Sequence, residues 1–254
     1  MWRRPMRAAH AFVVVCAAAA ATPIFAGPPF VTDDPEPVEY RHFEFIPALE
    51  GQHRHGEQSG ALPSAELNYG LLPDLQVGVK AAMAFDHQAG DGFHYGFGDT
   101  ELGIKYRFMS EDEAGWRPQA SFAPSVTLAS GDARRGLGDG HKRLVLPLWL
   151  EKSFGEWTTY GGGGYVFHRH GADKNFWIAG WALLRKVSDK LQVGGELFYS
   201  GAVSTTEPSS VGMNIGAVYD VAKNMSILAS VGRGITHASE TNVLSYFLGL
   251  QTRF

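Results

Sequence analysis

The sequence predicts an all-β fold, a transmembrane antiparallel up-and-down β-barrel of about twelve strands. Three observations carry this. The chain is filled with runs of alternating side-chain character, most of them about 9 to 14 residues long, which suits tilted membrane-spanning strands. The average strand of a soluble sheet is nearer 5 or 6 residues. The connections between runs alternate between short and long. Finally, one face of nearly every run is apolar and the opposite face is small, polar or charged.

Before the first run, the chain opens with Arg3, Arg4 and Arg7, then an apolar stretch from Ala11 to Ala21, then Ala26. This is the pattern of a secretory signal peptide, assigned to residues 1–26. A short membrane anchor is the alternative, but a bilayer-spanning helix needs about 20 apolar residues. Cys16, the single cysteine, lies in this segment and follows Val15 rather than a small residue, so no lipid anchor is expected. After cleavage no thiol remains, and no disulfide or thiol chemistry. Losing three Arg and no acid takes the formal net charge from -4 to -7, which opposes a nucleic-acid partner. Residues 27–37 hold four prolines and three acids and are expected to be an extended periplasmic segment. The barrel domain is expected over 38–254.

Strand one is expected over 38–50, with Phe43, Phe45, Pro47 and Leu49 on one face and Glu44, Ile46, Ala48 and Glu50 on the other. The polar, Gly-bounded stretch 51–62 reads as a loop. Strand two, 63–71, sets Leu67, Tyr69 and Leu71 against Glu66, Asn68 and Gly70. After the turn 72–74, strand three (75–85) alternates most cleanly, with Val77, Val79 and Phe85 opposing Gln76, Gly78 and Lys80. Strand four, 95–108, puts Leu102, Ile104, Tyr106 and Phe108 against Glu101, Gly103, Lys105 and Arg107.

Strand five covers 119–129 and strand six 143–154, with Leu144, Leu146, Leu148 and Leu150 opposite Glu151. Strand seven, 157–167, carries four consecutive glycines, Gly161 to Gly164, which would weaken a central strand of a soluble sheet. Strand eight, 175–187, is apolar on both faces, so its register is open. Strand nine, 191–200, sets Val193, Leu197 and Tyr199 against Gln192, Gly194 and Glu196. Strands ten (210–220) and eleven (225–233) follow. The last, 243–254, alternates Leu244, Tyr246, Leu248 and Leu250 with Ser245, Phe247, Gly249 and Gln251 and ends in Phe254. A final strand of this kind also looks like the signal read by the barrel-assembly machinery.

Short connections fall at 72–74, 155–156, 188–190 and 221–224. Longer ones fall at 51–62, 86–94, 130–142, 168–174, 201–209 and 235–242. The turn 109–118 alone breaks the alternation. An even strand number with short periplasmic turns and longer outer loops is the outer-membrane pattern. A soluble barrel would have to place these rows of large side chains inside, although packed barrels typically have about eight strands. In lipid the faces invert without strain, and closure leaves no unpaired strand edge. Tyr69, Tyr106, Phe108, Phe154, Trp157, Tyr219 and Phe254 are expected to form one aromatic girdle. The expected location is the outer membrane of a Gram-negative cell, in contact with its lipid and lipopolysaccharide.

Several segments resemble a known family. They are Pro29-Phe30-Val31-Thr32-Asp33-Asp34-Pro35, Glu66-Leu67-Asn68-Tyr69-Gly70, Leu72-Pro73-Asp74-Leu75, the stretch from Gly98 to Phe108, and Thr158-Thr159-Tyr160 with the glycines and Tyr165 that follow. They are similar to the outer-membrane "transporter" family linked to the MetA pathway of phenol degradation. The resemblance implies a barrel and, by the family's label, passage of hydrophobic or aromatic compounds. Family and fold alone do not establish function.

The candidate lumen residues are Glu44, Glu66, Asn68, Lys80, Glu101, Lys105, Arg107, Glu151 and Glu196. Their mixed signs have two readings, a polar eyelet that selects solutes or ion pairs that brace a narrow barrel. Glycines 70, 78, 103, 161, 163 and 194 either make room in the lumen or relieve crowding in a curved wall. His53 with His55, and His168 with His170, are weak metal candidates without any cysteine. Solvated loop histidines are the plainer reading, and no metal or other cofactor is expected. The expected function is passive passage of small, hydrophobic or aromatic solutes. A plugged structural or adhesin-like barrel is the alternative. A lipid-modifying enzyme is disfavoured, because no Gly-x-Ser-x-Gly elbow or phosphate-cradling loop occurs.

Overall fold

The computed structural model describes residues 27–112, 114–168 and 170–254. The expected signal segment, 1–26, lies outside the described residues. Fourteen strand segments form one sheet: β1 (Phe43–Arg54), β2 (Glu57–Leu72), β3 (Leu75–Gln88), β4 (Gly92–Phe97), β5 (Thr100–Met109), β6 (Gln119–Phe122) and β7 (Ser125–Leu128), then β8 (Arg143–Phe154), β9 (Trp157–Phe167), β10 (Phe176–Ser188), β11 (Leu191–Ser200), β12 (Ser210–Ala222), β13 (Met225–Gly234) and β14 (Leu244–Arg253).

β4 and β5 are two lengths of one stave, since both pair with β3. β6 and β7 are likewise one stave, interrupted at Ala123-Pro124, since both pair with β5 and β8. Proline has no N–H for the ladder, which accounts for the second interruption. The result is twelve antiparallel staves. β1 pairs with β2 on one side and with β14 on the other, so the sheet closes. Phe43 and Phe254 exchange both backbone hydrogen bonds at the seam, at 2.6 and 3.0 Å. Every stave pairs on both sides, as an apolar surround requires, although the β4 length of its stave pairs with β3 alone.

The register follows the expected alternation. Leu67, Val79, Leu102, Ile104, Leu148, Leu183, Leu197, Ile215 and Leu248 stand exposed on the outer wall. Phe43, Tyr69 and Phe254 stack at the end that carries the short turns, with centroids 4.5 and 5.7 Å apart. Tyr106, Phe108, Phe154, Trp157 and Tyr219 are exposed as well. Arg185 covers the Trp157 ring at 5.2 Å.

Three expectations are corrected. The stretch 51–62 is not a loop: β1 and β2 continue their ladder from Gly51↔Gly60 to Arg54↔Glu57. Its composition is polar on both faces, yet backbone pairing needs no apolar side chains. Residues 27–37 do not lie outside the barrel. Phe30, Thr32 and Asp33 are buried, and hydrogen bonds tie them to inward-facing side chains of β5 and β11. Gly161 and Gly163 face outward rather than into the lumen. A side chain at Gly161 would meet the Trp181 ring, and one at Gly163 would meet Ala179 and the Ile178 carbonyl. The Trp181 indole donates to Thr159 Oγ1 at 2.8 Å, so Gly161 lets a tryptophan lie against the wall.

β10, whose register the sequence left open, turns Phe176, Ala182 and Leu184 inward. Phe30 of the internal segment packs with Tyr160, Ala182 and Leu184. That contact accounts for a strand that is apolar on both faces.

Candidate functional site

The site is the lumen together with the segment it contains. Glu196 of β11 is buried and is the anchor. One carboxylate oxygen accepts the Val31 amide at 2.7 Å and the Asn214 side-chain amide. The other accepts the Thr32 amide at 2.8 Å and the Thr32 hydroxyl at 2.6 Å. Hydrogen bonds of this kind to an ionised acceptor are the stronger ones. Opposite Thr32 stands Gly180 of β10, where any Cβ would meet the Thr32 hydroxyl. The glycine is the space that the segment occupies.

Further along, Lys105 Nζ lies 2.9 Å from Asp33 and 3.7 Å from Asp34. Arg107 grips Asp74 at 2.6 Å and lies 4.0 Å from Glu36. The Val38 amide donates to Gln76 Oε1 at 2.8 Å. The chain then crosses Gly70, where a side chain would meet the Glu39 backbone. On the opposite wall Ser230 donates to the Pro29 carbonyl.

Two cavities flank the segment. The larger, about 980 Å³, opens towards the turn end and is lined by Glu44, Glu66, Asn68, Lys80, Glu101, Lys105 and Glu151 among others. Carboxylates outnumber lysines and arginines nine to four among its lining residues. The smaller, about 170 Å³, lies towards the loop end and includes Phe30, Phe176, Ile178, Phe198, Val203 and Phe247. Pro28, Pro29, Trp149 and Ile178 border both. The N-terminal segment therefore stands between a charged chamber and a smaller, more apolar one whose aromatic wall also carries Glu50, Arg54, Arg143 and Glu207.

The sequence candidates fall into two groups. Glu44, Glu66, Asn68, Lys80, Glu101, Lys105 and Glu151 line the larger cavity, whereas Arg107 and Glu196 hold other protein groups. Lys80 is in register with Glu66 on β2 and Glu101 on β5, and its ammonium lies 3.0 Å from Glu50. Asn68 donates to Glu66 at 2.8 Å, Gln251 donates to Glu44 at 2.7 Å and Gln119 donates to Glu151 at 2.7 Å. Sequence reasoning passed over Thr32, Asp33, Asn214 and Glu50 as site residues. Glu50 shares the inward face of strand one with Glu44 and could have been found by that alternation.

At the loop end, Asp99 sits in the break between β4 and β5. It accepts the amides of Gly131 at 2.8 Å and Asp139 at 2.7 Å, which folds the loop 129–142 across. Among the described residues, His53 and His55 join no cluster of His, Cys, Asp or Glu that could hold a metal. His168 instead groups with His141 and Asp173, while His170 stacks on His141 with centroids 4.8 Å apart. Burial pushes the His168 imidazole down to about 4, helped by the nearby Arg143 and His141, so the ring is neutral at ordinary pH.

Comparison with known structures supports the barrel assignment. The chain is similar to the COG4313 outer membrane channel from Pseudomonas putida F1, with a TM-score of 0.68 at 14% identity, covering 87% of this chain and 98% of that one. The NanC porin aligns with a TM-score of 0.57 at 6% identity, covering 84% and 98%. The KdgM porin aligns with a TM-score of 0.54 at 11% identity, covering 82% and 99%. At such identities the likeness establishes the fold, that of outer-membrane barrels. No curated protein sequence matches the chain. The family model described as "Putative MetA-pathway of phenol degradation" matches residues 53–251, and the chain belongs to that family.

Proposed function

We propose that the protein is an outer-membrane channel for small molecules, and that its own N-terminal segment sets what passes. The observation that carries this reading is the internal segment 28–36, which stands between a larger acidic chamber and a smaller one rich in aromatic side chains. A barrel that served only as a structural wall would have no use for open volume on both sides of a tethered segment. The short-turn end faces the periplasm in this reading, so the acidic chamber is periplasmic and the aromatic one outer.

The acidic excess of the inner chamber favours cations over anions. The aromatic lining of the outer chamber, with the family's name, supports small aromatic or hydrophobic solutes as the cargo. Stacking and apolar contact there would concentrate such a solute next to the segment. A permanently plugged structural barrel is the second reading, favoured by the number of bonds that hold the segment.

Flux separates the two. Refolded mature protein in a planar bilayer is expected to give cation-preferring current steps that small aromatic solutes such as phenol or benzoate reduce. Folded protein that neither conducts nor admits aromatics into liposomes would leave the plugged barrel.

A further inference from the structure

Transport makes no use of a side-chain cluster at the loop end. His141 comes from the loop 129–142, while His168 and Asp173 come from the loop between β9 and β10. Each offers one ligand atom, and these atoms lie within 4.8 Å of one another. His141 Nε2 is 3.6 Å and His168 Nε2 3.8 Å from the same oxygen, Asp173 Oδ2. We propose that His141, His168 and Asp173 form a binding site for one divalent transition-metal ion of the zinc type at the outer mouth of the barrel.

The donor set fits that class. Two imidazole nitrogens and a carboxylate suit zinc, copper or nickel better than calcium or magnesium, which take oxygen ligands. Metal–ligand bonds of about 2.0 to 2.2 Å place neighbouring tetrahedral ligands roughly 3.3 to 3.5 Å apart. The two separations from Asp173 Oδ2 need to close only slightly, and the imidazole nitrogens, within 4.8 Å of each other, draw in further.

The hydrogen bonds of His141 point the same way. Its Nδ1 lies 2.8 Å from the Asp139 carbonyl and its Nε2 lies 2.9 Å from the His168 carbonyl. A neutral imidazole has one N–H and satisfies only one of these acceptors. With the proton on Nδ1, the Nε2 lone pair faces a carbonyl oxygen and the Asp173 carboxylate. A cation among them turns repelling acceptors into ligands. An imidazole whose Nδ1–H is held by a backbone carbonyl is the usual arrangement behind a metal-bound Nε2.

His168 supplies the second imidazole. It is buried, and its Nδ1 has no hydrogen-bond partner among the described residues. Its Nε2 stands too far from Asp173 for a hydrogen bond and close enough for a shared ion. A metal on Nε2 would give that side of the buried ring a partner, and the proton would then sit on Nδ1. The surrounding loop is fixed: Asn175 accepts the His168 amide at 3.0 Å, and the Asp173 amide donates to the His170 carbonyl at 2.9 Å. The buried cation Arg143 lies near His168, and Asp139 holds its guanidinium at 3.0 Å. Water would complete the coordination, since the exposed His170 ring stacks on the face of His141.

The test is zinc binding to tag-free mature protein, folded as judged by heat-dependent gel mobility, by calorimetry. Cobalt absorption reports the geometry in parallel. The expected result is one equivalent of zinc and a tetrahedral cobalt spectrum. Asp173→Asn and His141→Ala are expected to weaken binding at least ~10-fold. The double variant His53→Ala/His55→Ala is expected to keep the full equivalent. Asp173→Asn is nearly isosteric, so it covers the case in which His141→Ala does not fold. No saturable binding to folded wild type overturns the proposal, as does an undiminished equivalent in Asp173→Asn.

Discussion

Thr32 gives both its amide and its side-chain hydroxyl to one carboxylate oxygen of Glu196, 164 residues further along the chain. A segment that would otherwise trail from the first strand is thereby fastened to the far wall of the barrel. A hydrogen bond to a charged group contributes about 1.5 to 3 kcal/mol. Losing one shifts an equilibrium between seated and released segment by roughly 10- to 100-fold. Thr32→Ala is expected to give longer or more frequent open events in single-channel records, with folded yield unchanged.

Gly180→Ala reaches the same outcome from the opposite wall. The added methyl falls on the Thr32 hydroxyl and takes away no hydrogen-bonding group. Open probability is expected to rise as it does in Thr32→Ala. Identical records for Gly180→Ala and wild type would mean that the segment does not control the current.

Lys80 and Glu101 face each other across β3 and β5 in the acidic chamber. Lys80→Gln is expected to strengthen cation preference and Glu101→Gln to weaken it. Reversal potentials in a salt gradient measure both. Unchanged potentials in the two variants would favour the bracing role for these charges over a selecting one.

Most of the wall was legible in the sequence, and most of what the wall contains was not. Strands such as 75–85 declared their faces, because one side met lipid and the other did not. Period-two alternation reports that contrast directly. At Gly51 to Gly60 the contrast fades, since the ladder there carries polar side chains on both faces. At Phe176 to Leu184 it fades for the opposite reason: Phe30 covers the inner face and makes both sides apolar. The segment 27–37 has no regular period of its own. Prolines removed helix and strand from consideration, but only tertiary contacts decide whether such a chain lies inside or outside. The residues Glu196 and Lys105 were recognisable as inward-facing. That their partners were Thr32 and Asp33 was not, because the contacts span a great sequence distance. The His141, His168 and Asp173 cluster was hidden likewise, whereas the nearer His-x-His pairs drew attention.

Asp99 holds the loop 129–142 through two backbone amides. Asp99→Ala is expected to release it, so that trypsin cuts sooner after Arg134 and Arg135, which the loop carries exposed. Removing two such charge-assisted bonds should speed nicking by on the order of 10-fold or more. Gel analysis of timed digests, under conditions where the folded barrel resists, reads the effect.

Gly161 lies beneath the Trp181 ring on the outer wall. Gly161→Val is expected to lift the indole, break its bond to Thr159 and destabilise the barrel by about 1 to 3 kcal/mol. A red-shifted or broadened tryptophan emission, with a lower unfolding midpoint in urea, would register it.

The central claim is that the internal segment sets what crosses the barrel. Single-channel conductance of the folded mature protein, compared with a variant lacking residues 28–36, tests it most directly. The account predicts a larger, steadier conductance and weaker aromatic block when the segment is absent. Equal conductance and equal block in the two proteins would contradict it.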